Sequence, residues 1–237
     1  MTQMYDQLAP YYRTITSQKA TYINSVDQII LDQIKLNMNT MLDVGSGDGI
    51  RAKNLADQAG IKRLVLSEPS KKMVELCRVN YSGEIWNTTA EELPSTGEKF
   101  DVLTCLWNVL GHIPNTSSRI ASLIKMRCFM HPGSLLFLDV NNRYNASAYG
   151  KLEIYKRMVY DILHPNNTRG DSEYEVSIDG NTIKGMGHLF TPQEMLLLIK
   201  NSGLKLKQRI MVDYKDGSIH ASIIEGQLLY IIEMGES

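Results

Sequence analysis

Short apolar runs alternate with segments whose apolar residues recur every third or fourth position, and the alternation continues along most of the chain. Tyr22, Ile23, Val26, Ile29, Ile30 and Ile34 form one face of a first helix. Leu42-Asp43-Val44 then reads as a strand, and Ala52, Leu55, Ala56 and Ala59 follow at helical spacing. Arg63 to Ser67 predicts strand two, and Ser70 caps a helix carrying Met73, Val74 and Leu76. Strand three lies near Glu84 to Trp86. Strand four, Phe100 to Leu106, is near-continuously apolar, as central parallel strands are. A helix from about Ser117 to Met130 leads through Pro132-Gly133 to strand five, Leu135 to Val140. Late in the chain, Thr191-Pro192-Gln193-Glu194 is a capping box with proline at the first helical position. Its helix carries Met195, Leu196, Leu198 and Ile199 and stops at Ser202-Gly203; Leu204 to Tyr214 and Ile223 to Ile232 read as two final strands. Seven strands alternating with helices predict an α/β fold, a doubly wound and mostly parallel sheet.

One stretch interrupts the alternation. Between strand five and the capping box lie Asn141 to Phe190, starting with one helix (Ala148, Tyr149, Leu152, Tyr155, Met158, Val159) that continues to Leu163. A hairpin follows around Asp179-Gly180, with Tyr174, Val176 and Ile178 alternating before the turn. Open α/β sheets bind ligands at the carboxyl ends of their strands, and this insertion grows from that edge. Its functional reading is a lid over a pocket, hinged at Asn141-Asn142 and Gly185-Met186-Gly187. A contact between the subunits of a homodimer, or a stabilising appendage, is the alternative.

Composition narrows the classes. The 237 residues are 43% hydrophobic, ample for a packed core, and are read as one domain spanning 1–237 with 141–190 as an inserted, lid-like subregion. A net charge of −1 gives no basic field, so no nucleic-acid partner is expected. Cys77, Cys105 and Cys128 form no C-x-x-C pair and suit a reduced compartment. Met1 to Pro10 is polar, and no run of 18 apolar residues occurs, so the expectation is a cytoplasmic chain with no membrane partner.

The chemistry starts at Asp43-Val44-Gly45-Ser46-Gly47-Asp48-Gly49. A strand feeding a glycine-rich turn into a helix N-terminus is the nucleotide corner of a doubly wound sheet. A dinucleotide G-x-G-x-x-G would place its third glycine at position 50, where Ile50 stands. A phosphate-binding P-loop would need Lys and Ser or Thr after the last glycine, and Ile50-Arg51-Ala52 has neither. What remains, an acidic strand residue followed by G-x-G-x-G, resembles motif I of the class I S-adenosylmethionine-dependent methyltransferases. Two more segments agree. Glu68, nineteen residues after Gly49 and followed by Pro69, is a strand-end carboxylate able to accept from two ribose hydroxyls. Asn87-Thr88-Thr89-Ala90-Glu91-Glu92-Leu93-Pro94 resembles the family's Asp-Ala-Glu-x-Leu-Pro, which reads the adenine edge; Thr89 stands where the family most often has Asp, which leaves a weaker contact to the adenine amino group or moves it to Asn87 or Glu91. The resemblance implies a Rossmann-like sheet with an antiparallel last strand and S-adenosylmethionine as cofactor. The implied cofactor contacts are Asp43, Gly45, Gly47, Gly49, Glu68, Pro69, Thr89, Ala90, Glu91, Leu106 and Trp107. Tyr5-Asp6-Gln7-Leu8-Ala9-Pro10-Tyr11-Tyr12 resembles the Tyr-Asp-x-x-Ala-x-x-Tyr opening of many small-molecule methyltransferases, which adds Tyr5 and Tyr12.

On the acceptor side, Cys105-Leu106-Trp107-Asn108 with Gly111-His112-Ile113-Pro114, and the strand-five end Asn141-Asn142-Arg143-Tyr144-Asn145, resemble the glycine N-methyltransferase branch. That implies Asn108 at the methyl-transfer position and a small-molecule acceptor with an amine slightly favoured. Trp107 replaces that branch's glycine, so the pocket has another shape. His112 is a base or polariser near the acceptor, or a histidine satisfied by its loop, and His188 near the lid is open to the same two readings. No Asn/Asp-Pro-Pro-Tyr/Phe follows strand four, and the strand ends lack the carboxylates of metal-dependent catechol enzymes, so no metal is expected. A nicotinamide-dependent oxidoreductase is the alternative, although no Tyr-x-x-x-Lys pair accompanies the sheet. A non-catalytic S-adenosylmethionine-binding protein is a third reading.

Overall fold

The computed structural model describes residues 2–164, 166 and 168–235; Met1, in the N-terminal segment, and Pro165 and Asn167, in the insertion, lie outside the described residues. The N-terminal arm is helix α1 (Thr2–Leu8), a 3-10 turn (Ala9–Tyr11) and helix α2 (Tyr12–Ser17). The alternating body follows as α3 (Ala20–Gln33), β1 (Thr40–Val44), α4 (Ile50–Ala59), β2 (Arg63–Ser67), α5 (Lys71–Asn80) and β3 (Glu84–Trp86). Strand β4 (Val102–Cys105) leads through a 3-10 turn (Val109–His112) to α6 (Thr116–Cys128) and β5 (Leu135–Val140). The insertion holds α7 (Ala146–Tyr149), α8 (Lys151–Leu163), β6 (Asp171–Ile178) and β7 (Asn181–His188). The chain returns through α9 (Pro192–Asn201), β8 (Leu204–Val212), β9 (Ile219–His220) and β10 (Gln227–Met234).

The sheet order is β3-β2-β1-β4-β5-β10-β8-β9, with β10 antiparallel to both neighbours and β1 to β5 parallel. Apolar side chains bury on both faces, which explains the continuous runs read from the sequence. Leu42, Leu103, Leu136, Leu138 and Tyr230 meet Leu123 and Met126 of α6 and Leu198 of α9 on one face. Met41, Leu66, Val102, Phe137 and Ile231 meet Tyr22, Val26 and Ile30 of α3 and Leu55 of α4 on the other. The expected fold class holds, with an antiparallel strand between β5 and β8.

Four details differ from expectation. The sheet has an eighth strand, β9, whose two residues are too few to carry an alternation signal. Strand four is shorter than Phe100 to Leu106, because Trp107 N–H turns to donate to Asp139 Oδ2 at 3.1 Å and Asn108 N–H to Asp139 O at 2.9 Å. The last strand starts at Gln227 and not at Ile223, since Ser222 to Gly226 forms a turn closed by Glu225 N–H to Ser222 O. The expected single insertion helix is two helices broken at Gly150, whose φ of +83° cannot continue a helix. Of the residues at helical spacing in α8, Ile154 is buried, whereas Leu152, Tyr155, Ile162 and Leu163 stay exposed.

The hairpin is as read. Asp179 and Gly180, both at positive φ, form its two-residue turn, and all eight residues of β6 pair with β7. Its glycines are paired and closely packed. Gly185 and Gly187 lie inside β7, where a Cβ on Gly185 would strike Met4 Sδ and the Tyr174 ring. The other predicted hinge is also fastened: Asn142 donates through Nδ2 to the carbonyls of Ile223 and Gly226, and its backbone N–H donates to Gln227 Oε1. Among the described residues, no helix is long and apolar enough to cross a membrane.

Candidate active site

Strand β1 ends in a turn in which Gly45, Gly47 and Gly49 all have positive φ. At Gly47 the Tyr12 hydroxyl lies where a Cβ would be, so the turn is glycine both for its backbone and for the N-terminal arm laid across it. Gly49 has another function. It is the left-handed N-cap of α4, and a Cβ there would press on Leu66 and Cys77; it lines none of the cavities described below.

Glu68 follows β2 and is buried, so it is not a solvated strand-end charge. Its Oε2 accepts from Gly47 N–H at 2.9 Å and its Oε1 from Ser70 N–H at 2.8 Å, which leaves lone pairs on both oxygens. Burial raises its pKa to about 7 against the pull of those two backbone donors. Ser70 ties the arm down: its hydroxyl donates to Asp6 at 2.6 Å while accepting from Met73 N–H at the head of α5.

A cleft over this turn is lined by Gly45, Gly47, Glu68, Pro69, Thr88, Thr89, Ala90 and Glu91, with Leu106, Trp107 and His112 on the far side and Tyr5 and Tyr12 across the top. The structure thus brings most of the predicted cofactor set to one wall. Of the two residues offered in place of the missing Asp, Glu91 lines the cleft, and Asn87 instead braces the β2 end by donating to Glu68 O and Pro69 O. Asp43 faces a neighbouring cavity shared with Tyr12, Gly45, Leu106 and Trp107, where Thr104 donates to its Oδ1 and burial raises its pKa.

That second cavity contains a residue the sequence reading passed over. Arg51 lies beside Asp27 at 2.7 Å, yet its Nη1 is buried with no hydrogen-bond partner. Such a guanidinium fits the carboxylate of an amino-acid-bearing ligand. The sequence signal was an Arg directly after the glycine turn, with nothing to show that it would be buried.

Beyond Trp107 lies a third cavity of about 400 Å³, within the range of small-molecule sites. Tyr5, Tyr12, Trp107 and His112 line both it and the cofactor cleft. Its roof is the insertion, through Tyr149, Arg157, Ser172, Tyr174 and Leu189. None of these was picked out as a site residue, because the insertion's pattern reports its own hairpin and helices and not what they cover.

Trp107 and Asn108 are consecutive non-glycine residues in the left-handed region, at φ +59° and +61°. Such strain persists where surrounding structure holds it. Asp139, buried and accepting from Trp107 N–H and the Tyr22 hydroxyl, and Tyr214, accepting from Trp107 Nε1 at 2.9 Å, hold it here. Asn108 lines the third cavity but uses its amide internally: Oδ1 accepts from Asn141 N–H at 3.0 Å and Nδ2 donates to His188 O at 3.4 Å. It therefore ties together the two stems of the insertion.

His112 is largely buried between the cavities. Met186 O can only accept, so the contact at 3.2 Å puts the proton on Nδ1, and the neutral Nε2 accepts from the Tyr5 hydroxyl at 2.9 Å. Burial lowers the pKa of His112 and raises that of Tyr5 well above its ordinary value. His188 lies elsewhere: its nitrogens contact Asp171 at 2.6 Å and Glu194 at 2.8 Å, next to the buried Arg119. It joins the hairpin to the N-terminus of α9 and lines none of these three cavities. Among the described residues, no three His, Cys, Asp or Glu side chains are grouped to hold a metal ion.

Comparison with known proteins agrees with this geometry. The methyltransferase-domain family matches residues 41–133. The chain is 27% identical over 179 residues to the ubiquinone biosynthesis O-methyltransferase of Brucella anthropi, covering 73% of this chain and 63% of that one. It is 30% identical over 113 residues to the enzyme of that name from Photobacterium profundum, covering 46% of each. The chain thus spans less than two thirds of the curated relatives it matches. An S-adenosylmethionine-dependent methyltransferase from Clostridium acetobutylicum superposes with a TM-score of 0.71 at 14% identity, covering 98% of this chain and 99% of that one. The S-adenosylmethionine-bound amino pentose methyltransferase CalS10 of Micromonospora echinaspora gives 0.66 at 14% identity, over 94% and 96%.

Proposed function

Because residues 41–133 match a methyltransferase domain and the described chain has the fold of the class I S-adenosylmethionine-dependent methyltransferases, we propose that this protein transfers a methyl group from S-adenosylmethionine to a small molecule. The observation that carries the reading is Glu68, a buried carboxylate fastened to the glycine turn with a lone pair free on each oxygen, in the same cleft as Thr88 to Glu91.

The residues present fit that cofactor. Glu68 would accept from the ribose hydroxyls, Thr89 to Glu91 would border the base, and the unpartnered Arg51 Nη1 would take the methionine carboxylate. When bound, S-adenosylmethionine supplies an electrophilic methyl on a sulfonium, which becomes a neutral thioether as the acceptor's lone pair takes the methyl. The protein's part is alignment, which can supply on the order of 7–11 kcal/mol of the barrier. Tyr5 and His112 border both cavities, and the pair can move a proton: an acceptor O–H or N–H gives its proton to Tyr5 Oη while the Tyr5 proton passes to His112 Nε2. The Nδ1–H bond to Met186 O keeps the ring in the tautomer that this needs.

The acceptor atom divides the support. An amine is what the expected likeness of Cys105 to Pro114 to the glycine N-methyltransferase branch would imply. The matched bacterial relatives are named O-methyltransferases, and among the described residues no carboxylate lines the third cavity to pair with an ammonium group. The lining favours a hydroxyl. Calorimetry with S-adenosylmethionine and S-adenosylhomocysteine tests the whole reading; absence of binding up to millimolar ligand ends it.

A further inference from the structure

The third cavity has a composition that selects among acceptors. Among the described residues, Tyr5, Tyr12, Trp107, Tyr149, Tyr174 and Tyr214 bring six rings to it, and its single charged side chain is Arg157. Arg157 lies on α8 with its Cζ 4.3 Å from the centre of the Tyr149 ring. Its Nε is held by the more exposed Glu153 at 3.2 Å, and its Nη1 reaches Arg143 O at 3.5 Å. Two side chains thus pre-position the guanidinium without satisfying its fork. At the wall shared with the cofactor cleft, the Tyr5 hydroxyl spends its O–H on a hydrogen bond to His112 Nε2, so toward a ligand it can only accept.

Resting on the methyltransferase reading, we infer that the acceptor is a hydroxyl-bearing aromatic acid, its ring held among the tyrosines and Trp107, its anionic group on Arg157 and its hydroxyl donating to Tyr5. Each part answers to an observed group. The aromatic walls stack a planar ring without selecting its substituents. The Arg157 fork pairs in parallel with a carboxylate or phosphate. A cationic amine tail would meet the guanidinium and no carboxylate, so the lining selects against it by charge. Arg157 belongs to the insertion, so the insertion acts as the specificity element of the site and not only as its cover.

The test uses the full chain saturated with S-adenosylhomocysteine and three probes that share one ring and differ in the tail: 3,4-dihydroxybenzoate, 3,4-dihydroxybenzyl alcohol and 3,4-dihydroxybenzylamine. Calorimetry is expected to rank the carboxylate tightest and the amine weakest. Arg157→Gln is expected to weaken the carboxylate about ten-fold, to the level of the alcohol, as loss of a charged hydrogen bond does. Arg157→Lys keeps the charge and should recover part of that loss, and neither variant should change affinity for S-adenosylhomocysteine. Three results overturn the acceptor class and leave the methyltransferase reading intact: an amine bound as tightly as the carboxylate, an Arg157→Gln protein that binds the carboxylate as wild type does, or no probe binding to protein that holds S-adenosylhomocysteine. Failure of S-adenosylhomocysteine itself to bind overturns that reading, and the acceptor class with it.

Discussion

Glu68 is where burial and function pull against each other. Its pKa is raised to about 7 by burial, so in the ligand-free chain the carboxylate loses its proton only as pH rises through neutrality. Ribose hydroxyls donate to the ionised form, so binding favours deprotonation and releases a proton. Affinity for S-adenosylhomocysteine is therefore expected to weaken as pH falls below about 7, by at most ten-fold per unit, and to level off above it. Glu68→Gln should weaken binding about ten-fold or more at pH 8 and flatten the pH profile. An unchanged profile in the variant would put the titrating group elsewhere. The fold has the same linkage with its own sign: a raised carboxylate pKa makes the ligand-free chain less stable as pH climbs from 4.5 through 7. His112 titrates on the acceptor side. Its pKa lies below 6.5 because burial disfavours the imidazolium, so Nε2 stays available to Tyr5 until the pH drops beneath that value. Methyl transfer should fall only there, and Tyr5→Phe should lower kcat with cofactor affinity changed far less.

Among the elements, the insertion is held by one side chain as much as by its hairpin. Asn108 bonds to Asn141 at the outgoing stem and to His188 at the returning one, from a left-handed backbone that asparagine tolerates better than most residues. Asn108→Ala removes both bonds and keeps the strain, so a loss of about 2–4 kcal/mol in unfolding free energy is expected. Asn108→Gly relieves the strain and should recover about 1 kcal/mol, measured by denaturant titration. Equal losses in the two variants would mean that the backbone conformation costs nothing here. Helix α9 offers a simpler case. Thr191 accepts from Glu194 N–H at 3.1 Å in a complete capping box, and Thr191→Ala should cost about 1 kcal/mol.

Across the whole molecule, the N-terminal arm and the inserted hairpin together cover the cavities at the ends of β1 and β4. The N-terminal arm and the hairpin pack together through Met4, Leu8 and Ile183, with Tyr174 and Val176 against them. The arm contributes Tyr5 and Tyr12 to the wall between the cofactor cleft and the third cavity, and the hairpin contributes Tyr174 to the third cavity alone. A ligand bound beneath them stabilises the arm and the hairpin together. At 100 times its dissociation constant, S-adenosylhomocysteine should add about 2.7 kcal/mol to stability. Hydrogen exchange should slow in α1 and in β6–β7 more than in the central strands, which are already protected. Protection confined to the glycine turn and the end of β2 would separate the arm and hairpin from cofactor binding.

Local pattern determined much of this protein. Apolar runs buried on both faces, a capping box at Thr191, a two-residue turn at Asp179-Gly180 and the glycines after Asp43 each act over a few residues, so the sheet, its helices and the cofactor wall from Gly45 to Glu91 could be read from the chain. Tertiary structure decided what depends on distant partners. Asn87 and Glu91 are equally polar in sequence, and only the fold turns one to brace β2 and the other to line the cleft. Asn108 lines the third cavity, but that its amide is taken up by Asn141 and His188 is visible only in the fold. The glycines of β7 look like free turn residues in sequence, and only the fold shows Met4 and Tyr174 packed beside Gly185. Arg51 and Arg157 resemble any other surface cations among 25 lysines and arginines, and burial beside one cavity or exposure to another is what distinguishes them. The physical reason is range: propensity and capping act within a few residues, whereas desolvation and the pairing of polar groups depend on whatever the folded chain brings within about 3 Å.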